Sequence, residues 1–288
     1  MSDQFSWVKG HGTENDFVLL PDPGGKVHGL LEPTLVEALC NRRAGLGADG
    51  VLRVVRCEAH DDSAARAALE AGAEWFMDYR NADGSVSEMC GNGVRVFARY
   101  LAHAGLVDGV APVPIGTRDG IRTARFEPDG TLTVDMGVAR VLGQVEVGLG
   151  STQRRWPATR VDTGNPHAVA EVASLDAPGP LLEAPWHDPA AYPDGVNVEY
   201  VVRTGARSVS MRVHERGSGE TRSCGTGACA VAAAVVAADG IHVPVALDVR
   251  VPGGELRVTV RPGDEAGSYG VSLTGPAVLV AQGTWPLA

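Results

Sequence analysis

The chain has 288 residues, of which 44% are hydrophobic and 21% charged, enough apolar side chain for two cores and too much for a disordered or fibrous protein. Lys and Arg total 25 against 35 Asp and Glu, a net charge of −10. No basic run offers phosphates a continuous stripe, so nucleic acid and anionic membrane surfaces are excluded as partners and a small molecule is favoured. The longest uncharged stretch of helix-like sequence, Ser223 to Ala238, is shorter than the roughly 18 residues a bilayer requires. The N-terminal MSDQFSWVKGHG lacks the basic start and apolar core of a secretory signal. The expectation is therefore a cytoplasmic protein in which Cys40, Cys57, Cys90, Cys224 and Cys229 stay reduced.

In chain order, apolar runs bounded by glycine and turn residues predict strands at Phe17–Leu20, Val51–Val55, Trp75–Tyr79, Leu132–Met136, Asn197–Val202, Ser208–Val213, Leu247–Val251, Leu256–Val260 and Val278–Val280. Leu35–Arg43 has the spacing of a short amphipathic helix, and the Ala-rich Asp61–Ala71 that of a helical insertion or surface loop. Two further helices matter more. After Gly93, Arg95, Arg99 and His103 recur every four residues, which predicts one polar stripe and burial of Val94, Phe97, Leu101 and Ala104. From about Gly227 to Ala238 no residue is charged, so that helix is expected to be enclosed by protein on every side.

Both helices open on one pattern, Cys90-Gly91-Asn92-Gly93 and Cys224-Gly225-Thr226-Gly227, and both end near a glycine, Gly105 and Gly240. The similarity extends into a repeat. Thr13-Glu14-Asn15-Asp16-Phe17 parallels Thr163-Gly164-Asn165-Pro166-His167, and Asp49-Gly50-Val51 parallels Asp194-Gly195-Val196. In each half a residue nine before the cysteine, Asn81 or Glu215, ends a predicted strand.

A helix N-terminus carries about half a positive charge and unpaired N–H groups, so it favours a thiolate and can also bind a carboxylate. The dipole contributes about 0.3–1 kcal/mol, at most ~2. Other partners must act oppositely on the two thiols if one is to be a base while the other stays an acid.

At these residues the sequence closely resembles the diaminopimelate epimerase family. The matching strings are Asn15-Asp16-Phe17, Arg43 to Gly50 (RAGLGADG), Asn81 to Gly84 (NADG), Cys90 to Gly93, Gly164 to His167 (GNPH), Gly195 to Asn197 (GVN), Glu215-Arg216 and Cys224 to Ala228 (CGTGA), spread over nearly the whole chain. The resemblance implies an α+β fold of two pseudo-symmetric domains, each a mixed β-sheet wrapped around a central helix, with the site in the cleft. The expected domains are 1–134, carrying Cys90 and rejoined by 272–288, and 135–271, carrying Cys224. It implies a cofactor-independent conversion of LL-diaminopimelate to the meso isomer, in lysine and peptidoglycan precursor synthesis, and makes a homodimer plausible.

Carried over residue by residue, the resemblance makes Cys90 and Cys224 the acid–base pair, donor and acceptor respectively in the forward direction. His167 and Glu215 would tune the thiols. Gly91, Asn92, Gly225 and Thr226 would offer backbone N–H groups to the reacting carboxylate. Asn15, Asn81, Asn165, Asn197, Glu215 and Arg216 would hold the distal amino-acid end. One departure is Gly50, where many family members have a glutamine that touches substrate; backbone or water would have to replace it.

Other signals carry less. Gly45 to Gly50 formally fits a dinucleotide fingerprint but follows a predicted helix and precedes a strand, the reverse of the required order. Cys224 and Cys229 have neither redox nor zinc spacing, so no metal is expected. A pyridoxal phosphate enzyme needs a Schiff-base lysine, and the chain holds only Lys9 and Lys26. Two other readings compete, a two-thiol racemase related to proline racemase and a non-enzymatic thiol redox switch. Substrate profiling separates the first, and a working Cys90–Cys224 disulfide would mark the second.

Overall fold

The computed structural model describes residues 4–150 and 153–286. Met1 to Asp3 of the N-terminal stretch, Ser151 and Thr152 of the second expected domain, and Leu287 and Ala288 of the returning segment lie outside the described residues. The chain divides into two compact units, Met1–Val134 with Pro276–Ala288, and Asp135–Gly275. The return to the first unit thus comes at Pro276 and not at residue 272, because the antiparallel ladder between Gly254–Pro262 and Ser268–Gly275 keeps the latter strand in the second unit.

In the first unit the elements are β1 (Gln4–Gly12), β2 (Asn15–Pro21), α1 (Pro33–Cys40), β3 (Gly50–Arg56), α2 (Ser63–Glu70), β4 (Trp75–Asn81), α3 (Gly91–His103), β5 (Val113–Thr117), β6 (Gly120–Phe126) and the start of β7 (Leu132–Gly148). The second holds the rest of β7, then β8 (Arg155–Asp162), β9 (Pro166–Glu171), β10 (Trp186–His187), β11 (Asn197–Gly205), β12 (Ser208–Glu215), β13 (Gly219–Thr221), α4 (Gly225–Asp239), β14 (Val245–Val251), β15 (Gly254–Pro262) and β16 (Ser268–Gly275); β17 (Val278–Pro286) belongs to the first.

The pairing repeats. In the first unit β17, β1 and β2 run antiparallel in turn, β2–β3 is parallel, β3–β4 antiparallel, β4–β5 parallel, and β5–β6–β7 antiparallel. In the second the series β7, β8, β9, β11, β12, β14, β15, β16 has the same senses in the same order. Mixed sheets of this kind bury a helix by wrapping it, since each strand turns every second side chain inward. Accordingly α3 packs against β1, β2, β3, β5, β6 and β17, and α4 against β8, β9, β11, β14, β15 and β16.

The enclosure of α4 follows from its composition: apart from Thr226 it is buried from Gly225 to Val236, and Gly240 ends it in the left-handed region at φ 59°. For α3 the polar-stripe reading needs correction. Arg95 is wholly buried, because its guanidinium reaches the Asn92 side-chain oxygen at 2.9 Å and the Pro276 carbonyl at 3.3 Å. Ala104 is exposed, since the helix ends at His103. The Ala-rich segment forms α2, capped by Asp62 and tied by the Asp62–Arg118 and Arg118–Asp78 ion pairs to buried Asp78 on β4.

Candidate active site

Each cysteine of the repeated tetrapeptide is the N-cap of its helix, a place where a side-chain acceptor satisfies one of the orphaned N–H groups. The Cys90 sulfur accepts from the Gly93 N–H at 3.5 Å and that of Cys224 from the Gly227 N–H at 3.3 Å. Both cysteines have extended backbone, φ −145° and −117°, which turns the chain from loop into helix.

In the first unit Cys90 is half-buried and its sulfur lies 3.5 Å from Asn15 Oδ1. That oxygen also accepts from Asn92 Nδ2 at 3.2 Å, while Asn15 Nδ2 donates to Asp49 at 2.8 Å. Asn15 thus stands beside the thiol, fixed at both ends of its amide. Asn92 is wholly buried, with its Oδ1 accepting from Arg95, so its side chain braces the helix start. Asn81, at the end of β4, donates to Ser85 Oγ at 2.9 Å in the turn that follows. Lys9 is pinned on Asp16 at 2.9 Å and on the carbonyls of Leu46 and Gly47.

In the second unit Cys224 is buried and its sulfur lies 3.4 Å from Thr226 Oγ1. Burial pushes this thiol well up from its ordinary value. The carboxyls of Glu215 and Glu199 add to that, against smaller help for the thiolate from Thr226 and the Gly227 N–H. Burial also raises Glu215, whose carboxyl bonds Thr221 and Cys224. His167 is wholly buried, its Nδ1 at 2.6 Å from Glu199 Oε1 and its Nε2 at 2.9 Å from Asn165 Oδ1. Burial raises Glu199 too, opposed by the charge of His167.

Asn197 has its amide engaged with the backbone, donating to Pro166 O at 3.1 Å and accepting from Arg216 N at 2.9 Å. It holds β9 to the turn after β12. The exposed Arg216 side chain crosses Gly195, where a Cβ would lie 3.1 Å from its Cδ, and donates to Asp194 O at 3.2 Å. Gly91 and Gly225 open α3 and α4, both buried.

Glu199 is absent from the residues expected from sequence. Its one signal was its spacing, two after Asn197 on a predicted strand, which puts both on one face. The repeat also needs correction in register. The letters align Gly50 with Gly195, but the ladders pair Phe17 with Gly50 and His167 with Asn197, so Gly50 and Asn197 are the equivalent positions. The remaining partners agree, since Gly50 pairs with Asn81, and Val198–His214 pairing sets Asn197 against Glu215.

A family profile described as diaminopimelate epimerase matches residues 7–142 and 159–280. Over 100% of its length and 98% of the relative's, the chain is 56% identical to a diaminopimelate epimerase of Streptomyces coelicolor. To one of Thermobifida fusca it is 51% identical over 96% of both chains. Among solved structures, a hydroxyproline epimerase of Agrobacterium vitis superposes with a TM-score of 0.70 at 15% identity, covering 99% of this chain and 93% of that one, a likeness of fold alone. The two-domain α+β fold agrees with that neighbour.

Proposed function

Because the chain belongs to the diaminopimelate epimerase family and is therefore an isomerase, we propose that Cys90 and Cys224 are its acid–base pair. One sulfur takes the α-proton of LL-diaminopimelate and the other returns a proton to the opposite face, giving the meso isomer. The observation that carries this reading is the matched pair of cysteine-capped helices, one in each half of a repeated fold.

A carbanion next to a carboxylate is unstable unless its charge spreads onto the carboxylate oxygens, and donors aimed there stabilise it without a cofactor. The first N–H groups of a helix have no intrahelical acceptor. Those of Gly91 and Asn92, and of Gly225 and Thr226, take this role. His167 and Glu215 tune Cys224, and Asn15 orients Cys90. Burial and two carboxyl neighbours favour the proton on Cys224, so its acting as acceptor in the forward direction requires that proton to be lost first. Asn81, Asn165, Asn197, Glu215 and Arg216 serve the distal amino-acid end, Arg216 through its exposed guanidinium and Asn197 by holding the backbone beneath it. No helix among the described residues is long and apolar enough to cross a membrane; a cytoplasmic homodimer is the setting the family likeness supports.

The test follows both isomers in deuterated water without added cofactor. Cys90→Ala and Cys224→Ala are each expected to lose interconversion by about 10²-fold or more. Near-normal conversion by either variant refutes the two-thiol reading.

A further inference from the structure

The two units provide an internal comparison. Leu19 pairs with Leu52 in the first, and Val169 with Glu199 in the second, two residues along the same ladders from Phe17 and His167. Leu52 and Glu199 therefore hold equivalent places, as do Phe17 and His167. The helix starts agree. A Cβ on Gly93, three residues after Cys90, would touch Leu52 at 3.5 Å and Phe17 at 3.6 Å; one on Gly227, three after Cys224, would meet Glu199 Oε1 at 2.7 Å.

One fold is thus built twice, over an apolar pair beneath Cys90 and over a wholly buried His167–Glu199 pair beneath Cys224. The first unit shows that the architecture does not need the ionisable pair. Burying it is expensive, and apolar replacement of such pairs is often neutral or stabilising. Glu199 Oε2, moreover, is buried with no hydrogen-bond partner, a cost that packing leaves unexplained.

We propose that Glu199 is a positioning residue of the epimerisation: by accepting the Nδ1–H of His167 beneath the Cys224 helix start, it fixes the imidazole and makes Cys224 chemically unlike Cys90. The proposal rests on the two-thiol reading, in which one acid and one base must differ although each caps a similar helix. The same Gly227 Cβ position lies 3.3 Å from the Cys224 sulfur and 2.7 Å from Glu199 Oε1, so carboxylate and sulfur are within about 6 Å, where a like charge opposes a thiolate. The ionisable groups facing Cys224 are Glu199 from β11, Glu215 from the end of β12 and, behind Glu199, His167 from β9. The β8, β14, β15 and β16 strands also pack against α4 and carry the buried apolar residues Val161, Val249, Val258 and Leu273.

The test uses the full chain with Glu199→Gln and Glu199→Leu, the latter reproducing the first unit. Iodoacetamide alkylation of Cys224 and Cys90 is followed peptide by peptide by mass spectrometry across pH. In both variants the Cys224 rate profile is expected to move to lower pH by about one unit, while that of Cys90 stays in place. A Cys224 profile that does not move, or an equal shift of both thiols, overturns the proposal. Should the variants fail to fold, nitrogen NMR of labelled histidine in the unsubstituted chain decides: His167 Nδ1 is expected to carry a proton at neutral pH, and an unprotonated Nδ1 overturns it. Neither readout needs turnover, so failure to epimerise diaminopimelate would sink the functional reading separately.

Discussion

The Tyr79 ring stands where a side chain on Gly50 would begin: a Cβ there would lie 2.7 Å from Cε2 of the ring and 2.5 Å from the Arg80 carbonyl oxygen. The ring is held edge-on against Phe17, centroids 5.8 Å apart. A glutamine, the residue that the family resemblance leads one to expect at this position, has no room on this backbone. Gly50→Gln is expected to destabilise the chain by about 1–3 kcal/mol, since a backbone oxygen cannot rotate away. Thermal unfolding checks it; an unchanged midpoint would show that β3 and β4 can part there.

Glu215 predicts a stability that depends on pH. Its carboxyl is raised, chiefly by burial, so the folded chain keeps this proton over a range in which the unfolded chain has lost it. Stability then falls as pH climbs above the usual carboxylate range, about 4. Glu215→Gln removes that loss and keeps an acceptor for Thr221. The variant is expected to unfold at a higher temperature than the parent at pH 7, with the gap closing at pH 4 and below, while its epimerase activity drops. Denaturation curves at the two pH values, with an activity assay, test the pair of effects.

Arg216 separates binding from folding. Its side chain is exposed, with one hydrogen bond to the Asp194 carbonyl. Arg216→Ala is expected to leave stability within about 0.5 kcal/mol and to raise KM for diaminopimelate by about tenfold or more, the loss of a charge-assisted bond to a carboxylate. An unaltered KM would remove Arg216 from the substrate site.

Legibility in the sequence followed local signal. The absence of charge from about Gly227 to Ala238 suffices to foresee an enclosed helix, and the two cysteine tetrapeptides mark both helix starts. Strands with half-wet faces were harder. Gln4–Gly12 and Arg155–Asp162 mix polar residues, glycine or proline with their apolar ones, so neither shows a clean apolar run. The sequence predicts a solvent-facing Arg95 because a charge on a helix usually is, yet acceptors from its own helix start and from Pro276 make burial tolerable. Glu199 is hidden for the same reason, since a lone acid on a strand gives no sign of the histidine that its side chain meets on the neighbouring strand.

What the sequence by itself determined is therefore the repeat, the two thiols at helix starts and the apolar core of α4, because these depend on neighbours a few residues apart, where periodicity and capping operate. Only the tertiary structure decided the register of the repeat and the difference between its halves. That Leu52 and Phe17 underlie one helix start while Glu199 and His167 underlie the other is a matter of strand pairing between residues about thirty positions apart, which non-local hydrogen bonding sets and no short window of residues contains.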